Sequence, residues 1–200
     1  MLRGLVGGFA VLACAALASG GQFNRILDIG DPAPEWSALP GTDGKTHDAK
    51  SLAGAPVVVV VFTCNSCPYA VDAEERIVQL HADYAAKNVA VVAINVNLVE
   101  EDRLPAMKEK VEANGWKFPY LFDESQQIAK EFGAKYTPEV YVLDRERKVA
   151  YMGSMDDSPD GKNVTKTYVR DAIDAVLEGR DVATAETVPV GCRIRMSRRR

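Results

Sequence analysis

Two cysteines separated by two residues, in Cys64-Asn65-Ser66-Cys67, are the side chains of this sequence whose type and spacing most directly offer chemistry. Such a pair can be oxidised to a disulfide and reduced again. Where it opens a helix, the unpaired N–H groups and the helix dipole favour a thiolate. An apolar run at residues 55–63, with five consecutive valines, enters the motif, and an amphipathic pattern leaves it. The first cysteine is then expected near the helix N-terminus, with Cys64 as nucleophile and Cys67, one turn on, resolving the mixed disulfide. Asn65 and Ser66 would tune the potential of the pair. Two other readings stay open. A zinc site wants four ligands, whereas the chain has no second such pair and its histidines, His47 and His81, stand at no ligand spacing. An inert structural disulfide is the second.

Further candidates lie later in the chain. Thr137-Pro138 stands between a glycine-terminated helix and a strong strand, where a cis proline would leave backbone atoms free to pair with an extended substrate. Glu139, with Asp156 and Asp157, is a candidate for proton transfer; a surface carboxylate is the alternative for each. Cys192, on a Gly-containing segment, is a candidate second resolving thiol, or simply a free or buried cysteine. His47 and His81 read as surface groups, and Trp36 and Trp116 as packing residues. The chemistry expected of these groups uses no metal or other cofactor.

The elements that must position these residues are legible from periodicity. Residues 19–54, rich in Gly, Pro, Asp and Ser, predict at most a small hairpin. The run at 55–63 predicts a central buried strand, being too β-branched for a helix and too uniformly apolar for a half-exposed strand. Ala73, Ile77, Leu80 and Tyr84 predict an amphipathic helix, residues 89–96 a second buried strand, and Leu104, Met107 and Val111 a helix ended by Asn114-Gly115. A short strand within 118–122, a short helix over 125–132, a hairpin of 140–143 with 148–152, and a last helix carrying Val169, Ile173, Val176 and Leu177 complete the pattern. The fold class is α/β, a central mixed sheet flanked by helices on both faces.

The 200 residues suit one globular domain with extensions. Arg3, an apolar stretch over 5–17 and the small residues Ala16-Leu17-Ala18 predict a signal peptide at 1–18. A linker at 19–29, a domain at 30–182 and an extension at 183–200 carrying Cys192 and a basic tail would follow. The reading is an exported, periplasmic protein, with a membrane-tethered form and lipidation at Cys14 as alternatives. Setting aside Arg3 and the five arginines after Cys192 leaves 18 basic against 28 acidic residues, which argues against nucleic acid as a partner. The arginines themselves read as a solvated, disordered tail. Expected partners are protein or small-molecule disulfides and thiols. The electron donor is a separate protein, membrane-borne if the role is reductive.

Phe62-Thr63-Cys64-Asn65-Ser66-Cys67-Pro68 and Thr137-Pro138-Glu139-Val140-Tyr141-Val142-Leu143-Asp144 resemble the thioredoxin-like superfamily, in its exported, peroxiredoxin-like (AhpC/TSA-type) redoxin branch. Phe118-Pro119-Tyr120-Leu121-Phe122-Asp123 and Pro189-Val190-Gly191-Cys192 are similar to that branch too, so the resemblance runs from about Gly30 to Cys192. It implies redox chemistry at Cys64 and Cys67 and a cis peptide before Pro138. Peroxiredoxins place a threonine three residues before the peroxidatic cysteine and use an arginine to polarise peroxide. Aligning Cys67 with that cysteine puts Cys64 at the threonine, and Thr137-Pro138-Glu139 holds no arginine. The expected activity is therefore thiol-disulfide exchange. A thiol-dependent peroxidase (antioxidant) and a copper-binding thioredoxin-fold module are the alternatives, since copper(I) also favours thiolates. A fold-only scaffold without turnover is the remaining one.

Overall fold

The computed structural model describes residues 21–197, so the expected signal peptide and Cys14 lie outside the described residues. The expected hairpin is β1 (Leu39–Pro40) with β2 (Thr46–His47). β3 (Val58–Phe62) leads through the cysteine pair into α1 (Pro68–Tyr84); β4 (Ala90–Asn95), α2 (Leu104–Asn114) and β5 (Tyr120–Phe122) follow. Then come α3 (Gln127–Phe132), β6 (Tyr136–Thr137), β7 (Glu139–Leu143), β8 (Val149–Gly153), α4 (Tyr168–Leu177) and β9 (Cys192–Arg193).

Five strands form one mixed sheet in the order β5-β4-β3-β7-β8, with β3 at its centre. β3 runs parallel to β4 and antiparallel to β7. The parallel pair requires a crossover, which α1 supplies. Successive side chains of a strand point to opposite faces, and here both faces are covered. Val57, Val59 and Val61 pack with Ala73, Ile77 and Leu80 of α1 and Val169 and Ile173 of α4. Val58, Val60 and Phe62 pack with Ile128, Ala129 and Phe132 of α3 and with Trp36 and Leu27 from the N-terminal segment. The valine run is uniformly apolar because every one of its side chains meets a covering layer. The mixed sheet with helices on both faces is the architecture expected.

An ion pair ties α1 to the loop after β8. Arg76 donates to the carboxylate of Asp156 and to the carbonyls of Ser158 and Pro159, both 3.0 Å away. Asp156, a candidate proton carrier in the sequence, is thus committed to this structural pair. Asp157 instead accepts the N–H groups of Thr165 (2.8 Å) and Lys166 (2.9 Å). Removing one partner of a largely buried pair leaves an uncompensated charge. Arg76→Ala is therefore expected to lower stability by about 3 kcal/mol, read as a lower urea midpoint. An unchanged midpoint would show that the pair contributes nothing.

The C-terminal segment departs from the expected solvated tail as far as Ser197. Ile194 is buried in the second core cluster and donates its N–H to the Lys135 carbonyl at 2.8 Å. Gln126 accepts the Ser197 N–H at 2.7 Å and donates to the Arg195 carbonyl at 2.9 Å. The physical reason is alternation. In Cys192-Arg193-Ile194-Arg195 the arginines take one side of an extended segment while Cys192 and Ile194 face the protein. Residues 198–200, with the last three arginines, lie outside the described residues.

Candidate active site

The cysteine pair lies where β3 gives way to α1. The Thr63 N–H still bonds to the Ile94 carbonyl of β4 at 3.0 Å, which fixes the approach to Cys64. The helix begins at Pro68, a position that needs no N–H, so its N-cap is Cys67, and Cys64 stands three residues before it. The cysteine at the helix N-terminus is thus the second of the pair, whereas the sequence placed the first one there. Both are free thiols and nearly inaccessible, at 2% and 3% exposure.

Thr137, at the end of β6, touches both sulfurs. Its hydroxyl is 3.4 Å from Cys64 Sγ, and its carbonyl accepts the Cys67 thiol at 3.0 Å. The Thr137–Pro138 peptide is cis, as the resemblance implied. Glu139 shapes this segment: its carboxylate accepts the N–H groups of Lys135 (2.7 Å) and Tyr136 (3.0 Å) and the Tyr141 hydroxyl (2.9 Å). Burial pushes its pKa up. Its hydrogen bonds among the described residues go to these groups and none to a thiol.

The acid that holds the residues between the cysteines is one that sequence reasoning missed. Asp102, fully buried on the turn at 100–102, accepts the N–H groups of Asn65 (2.7 Å) and Ser66 (2.9 Å), the Ser66 hydroxyl (2.7 Å) and the Asn97 amide (3.1 Å). Asn95 braces it by donating to its carbonyl at 2.7 Å. The Asn65 amide donates to the Glu101 carbonyl at 2.8 Å and its oxygen accepts the Tyr120 hydroxyl at 3.1 Å. Both residues between the cysteines therefore anchor the loop. In the sequence Asp102 ends the run Glu100-Glu101-Asp102, which reads as exposed surface. The signal available was the pair of asparagines ending an otherwise apolar strand run, Asn95 and Asn97, since buried amides require polar partners.

These surroundings separate the two thiols. Cys64 is pushed well up, first by its hydrogen bond with Cys67, then by burial and by the negative charge of Asp102. Cys67 is pulled well below the ordinary thiol range, first by the Cys64 hydrogen bond and then, against the cost of burial, by Cys192, Thr137 and the Ala70 N–H. The Thr137 carbonyl opposes this by favouring the protonated thiol. The balance places the thiolate of the pair on Cys67, the residue closer to the helix and farther from Asp102's influence. With a small alkylating reagent, the reduced protein is expected to show Cys67 half-modified at a pH below the ordinary value of about 8.5, and Cys64 only above it. Mass mapping that finds Cys64 modified first at neutral pH would reverse the assignment.

Cys192 folds back onto the pair. β9 runs antiparallel to β6 with Cys192 opposite Thr137 and Arg193 opposite Tyr136. Its side chain packs against Cys64, Cys67 and Ala70. Burial, then the hydrogen bond and charge of Cys67, raise this thiol to about 11. The remaining candidates stand elsewhere: His47 bonds to Asp43 at 3.0 Å, and His81 rests edge-on against Phe118 with ring centroids 5.7 Å apart. Trp36 and Trp116 are buried packing residues, as expected.

Known proteins share this arrangement of sheet and helices. A hypothetical protein from Sinorhizobium meliloti 1021 is 37% identical, with a TM-score of 0.81 over 87% of this chain and 97% of its own. A Chlorobium tepidum protein named for DsbE, a thiol:disulfide interchange protein, is 26% identical, with a TM-score of 0.63 over 76% of this chain and 99% of its own. The thiol-disulfide oxidoreductase ResA of Bacillus thuringiensis is 28% identical over 129 residues, 62% of this chain and 68% of its own length. The fold is thioredoxin-like. Residues 29–152, which carry the cysteine pair, Thr137 and the whole five-stranded sheet up to Met152, match the AhpC/TSA family model, and the chain belongs to that family.

Proposed function

We propose that this protein is a thiol-disulfide oxidoreductase that exchanges disulfides through Cys64 and Cys67. The observation that carries this reading is the pair of buried free thiols, both touching Thr137, with unequal proton affinities set first by the hydrogen bond between them, then by burial and their other neighbours. The names of the ResA and DsbE relatives support it. Export is proposed from the leader pattern at 1–18, and a reductive role in an exported space would require a membrane-borne electron donor.

In the reductive direction the Cys67 thiolate attacks one sulfur of a substrate disulfide. A Cys67–substrate bond forms, and the other substrate sulfur leaves as thiolate and takes a proton. Cys67 then carries no charge, which removes the largest cause of Cys64's raised pKa. Cys64 attacks the Cys67 sulfur, and its proton passes to the second substrate sulfur as that sulfur leaves Cys67. The substrate is released with two electrons gained, and a Cys64–Cys67 disulfide remains. Asp102 holds the loop through the Asn65 and Ser66 N–H groups while this happens, and the exposed side chains of Tyr69 and Val190 offer apolar surface for the substrate.

A thiol peroxidase is the second reading, favoured by Cys67's lowered pKa and N-cap position. Peroxide would convert Cys67 to a sulfenic acid, and condensation with Cys64 would expel water and give the same disulfide. Dithiothreitol-driven reduction of insulin and consumption of hydrogen peroxide, measured side by side, separate the two. The account expects accelerated insulin reduction that is lost in Cys67→Ser. Acceleration of peroxide loss alone would favour the peroxidase.

A further inference from the structure

We propose that Cys192 is the third thiol of this site: β9, paired along β6, presents it to Cys67, so that it takes Cys67 out of the Cys64–Cys67 disulfide into a Cys67–Cys192 disulfide and frees Cys64. This rests on Cys64 and Cys67 being the exchanging pair and adds the fate of their disulfide.

The placement is built. The register of β6 with β9 sets Cys192 directly opposite Thr137, the residue in contact with both sulfurs of the pair. A Cβ at Gly191 would lie 2.2 Å from the Thr137 carbonyl oxygen, so only glycine lets the strand come this close. The segment is held on both sides of Cys192. Before it, the Thr187 N–H bonds to the Met152 carbonyl at 3.1 Å and the Ser154 hydroxyl donates to the Val188 carbonyl at 2.8 Å. After it, Ile194 is buried and Gln126 grips Arg195 and Ser197. An extended peptide adding to β6 would want the edge that β9 holds, so the chain supplies its own first occupant.

The step needs no outside oxidant. The Cys192 thiolate attacks the Cys67 sulfur of the Cys64–Cys67 bond, the Cys67–Cys192 bond forms as the other breaks, and Cys64 leaves as thiolate and takes the proton Cys192 gave up. The electron count is unchanged. In the reduced protein the charge on Cys67 helps keep Cys192 protonated; once Cys67 is in a disulfide that restraint is gone, while Arg195 still favours the thiolate. Burial, the larger restraint, stays, but Cys192 becomes easier to deprotonate when there is a disulfide to attack.

The test is disulfide mapping after equilibration with oxidised glutathione, acid quench and blocking of free thiols. Trypsin leaves Cys64 and Cys67 together on residues 51–76 and Cys192 on residues 181–193. The proposal expects a linked species of these two peptides in the wild-type protein, and an intramolecular Cys67–Cys192 bond in monomeric Cys64→Ser. It also expects Gly191→Ala, which keeps every cysteine, to lose the linked species and retain the Cys64–Cys67 loop. A wild-type map showing only the loop within 51–76, with Cys64→Ser left as two free thiols, would overturn it while leaving the exchange reading intact. A wild-type protein that forms no disulfide at all would overturn both.

Discussion

Cys67→Ser is expected to abolish disulfide exchange, with a loss of roughly 10³-fold or more, because it removes the sulfur on which both steps turn. Cys64→Ser, combined with Cys192→Ser so that no second thiol releases the adduct, is expected to behave differently. The first attack survives, so the variant accumulates a mixed disulfide with substrate that intact-mass measurement detects and that wild type releases. The asymmetry follows from the site: the Cys67 thiolate is stabilised first by its hydrogen bond with Cys64 and then by Cys192 and Thr137, whereas Cys64 stays protonated until Cys67 is bonded. A mixed disulfide trapped in Cys67→Ser and absent from the Cys64→Ser, Cys192→Ser double variant would exchange the two roles.

Asp102→Ala is expected to damage both the stability of the protein and the loop that carries the cysteines. It removes the acceptor of the part-buried N–H groups of Asn65 and Ser66 and leaves the buried Asn97 amide without its partner, at about 1–3 kcal/mol for a buried unsatisfied donor. A loss of roughly 3 kcal/mol in urea unfolding is the expected reading. Asp102→Asn keeps an acceptor oxygen for the loop but removes the charge, so it separates shape from electrostatics. Negative charge nearby raises a thiol pKa, so removing it lowers that of Cys64. The alkylation profile of Cys64 should move to lower pH in Asp102→Asn while most of the stability is kept. An Asp102→Ala protein with the wild-type midpoint, or an Asp102→Asn profile that does not move, would remove Asp102 from the account.

Most of the sheet was legible because its strands carry a strong one-dimensional signal. The valine run, the spacing of Ala73, Ile77, Leu80 and Tyr84, and the left-handed glycines Gly115 and Gly133 closing α2 and α3 all act within their own segments. What escaped depends on partners distant in sequence. β6 and β9 are two residues each and exist only because they pair with one another, so neither has a period to detect. Asp102 looks like surface in an acidic run, and its burial makes sense only once Asn95, Asn97 and the loop of Asn65 and Ser66 surround it. Glu139 was legible as an unusual acid beside Pro138, but its partners, Lys135, Tyr136 and Tyr141, make it a brace for β6. The cysteine pair was legible, whereas the difference between its members came from their mutual hydrogen bond and from neighbours distant in sequence, Thr137, Asp102 and Cys192.

The central claim is that Cys64 and Cys67 form a reversible redox couple. It is tested most directly by equilibrating the purified protein in glutathione or dithiothreitol buffers of graded poise, quenching with acid and counting free thiols by mass. The account predicts one two-electron transition per chain, with Cys67 in the disulfide that forms and a midpoint inside the range of about −270 to −120 mV spanned by exchanging dithiols. Thiols that stay unpaired at every poise across that range would contradict it.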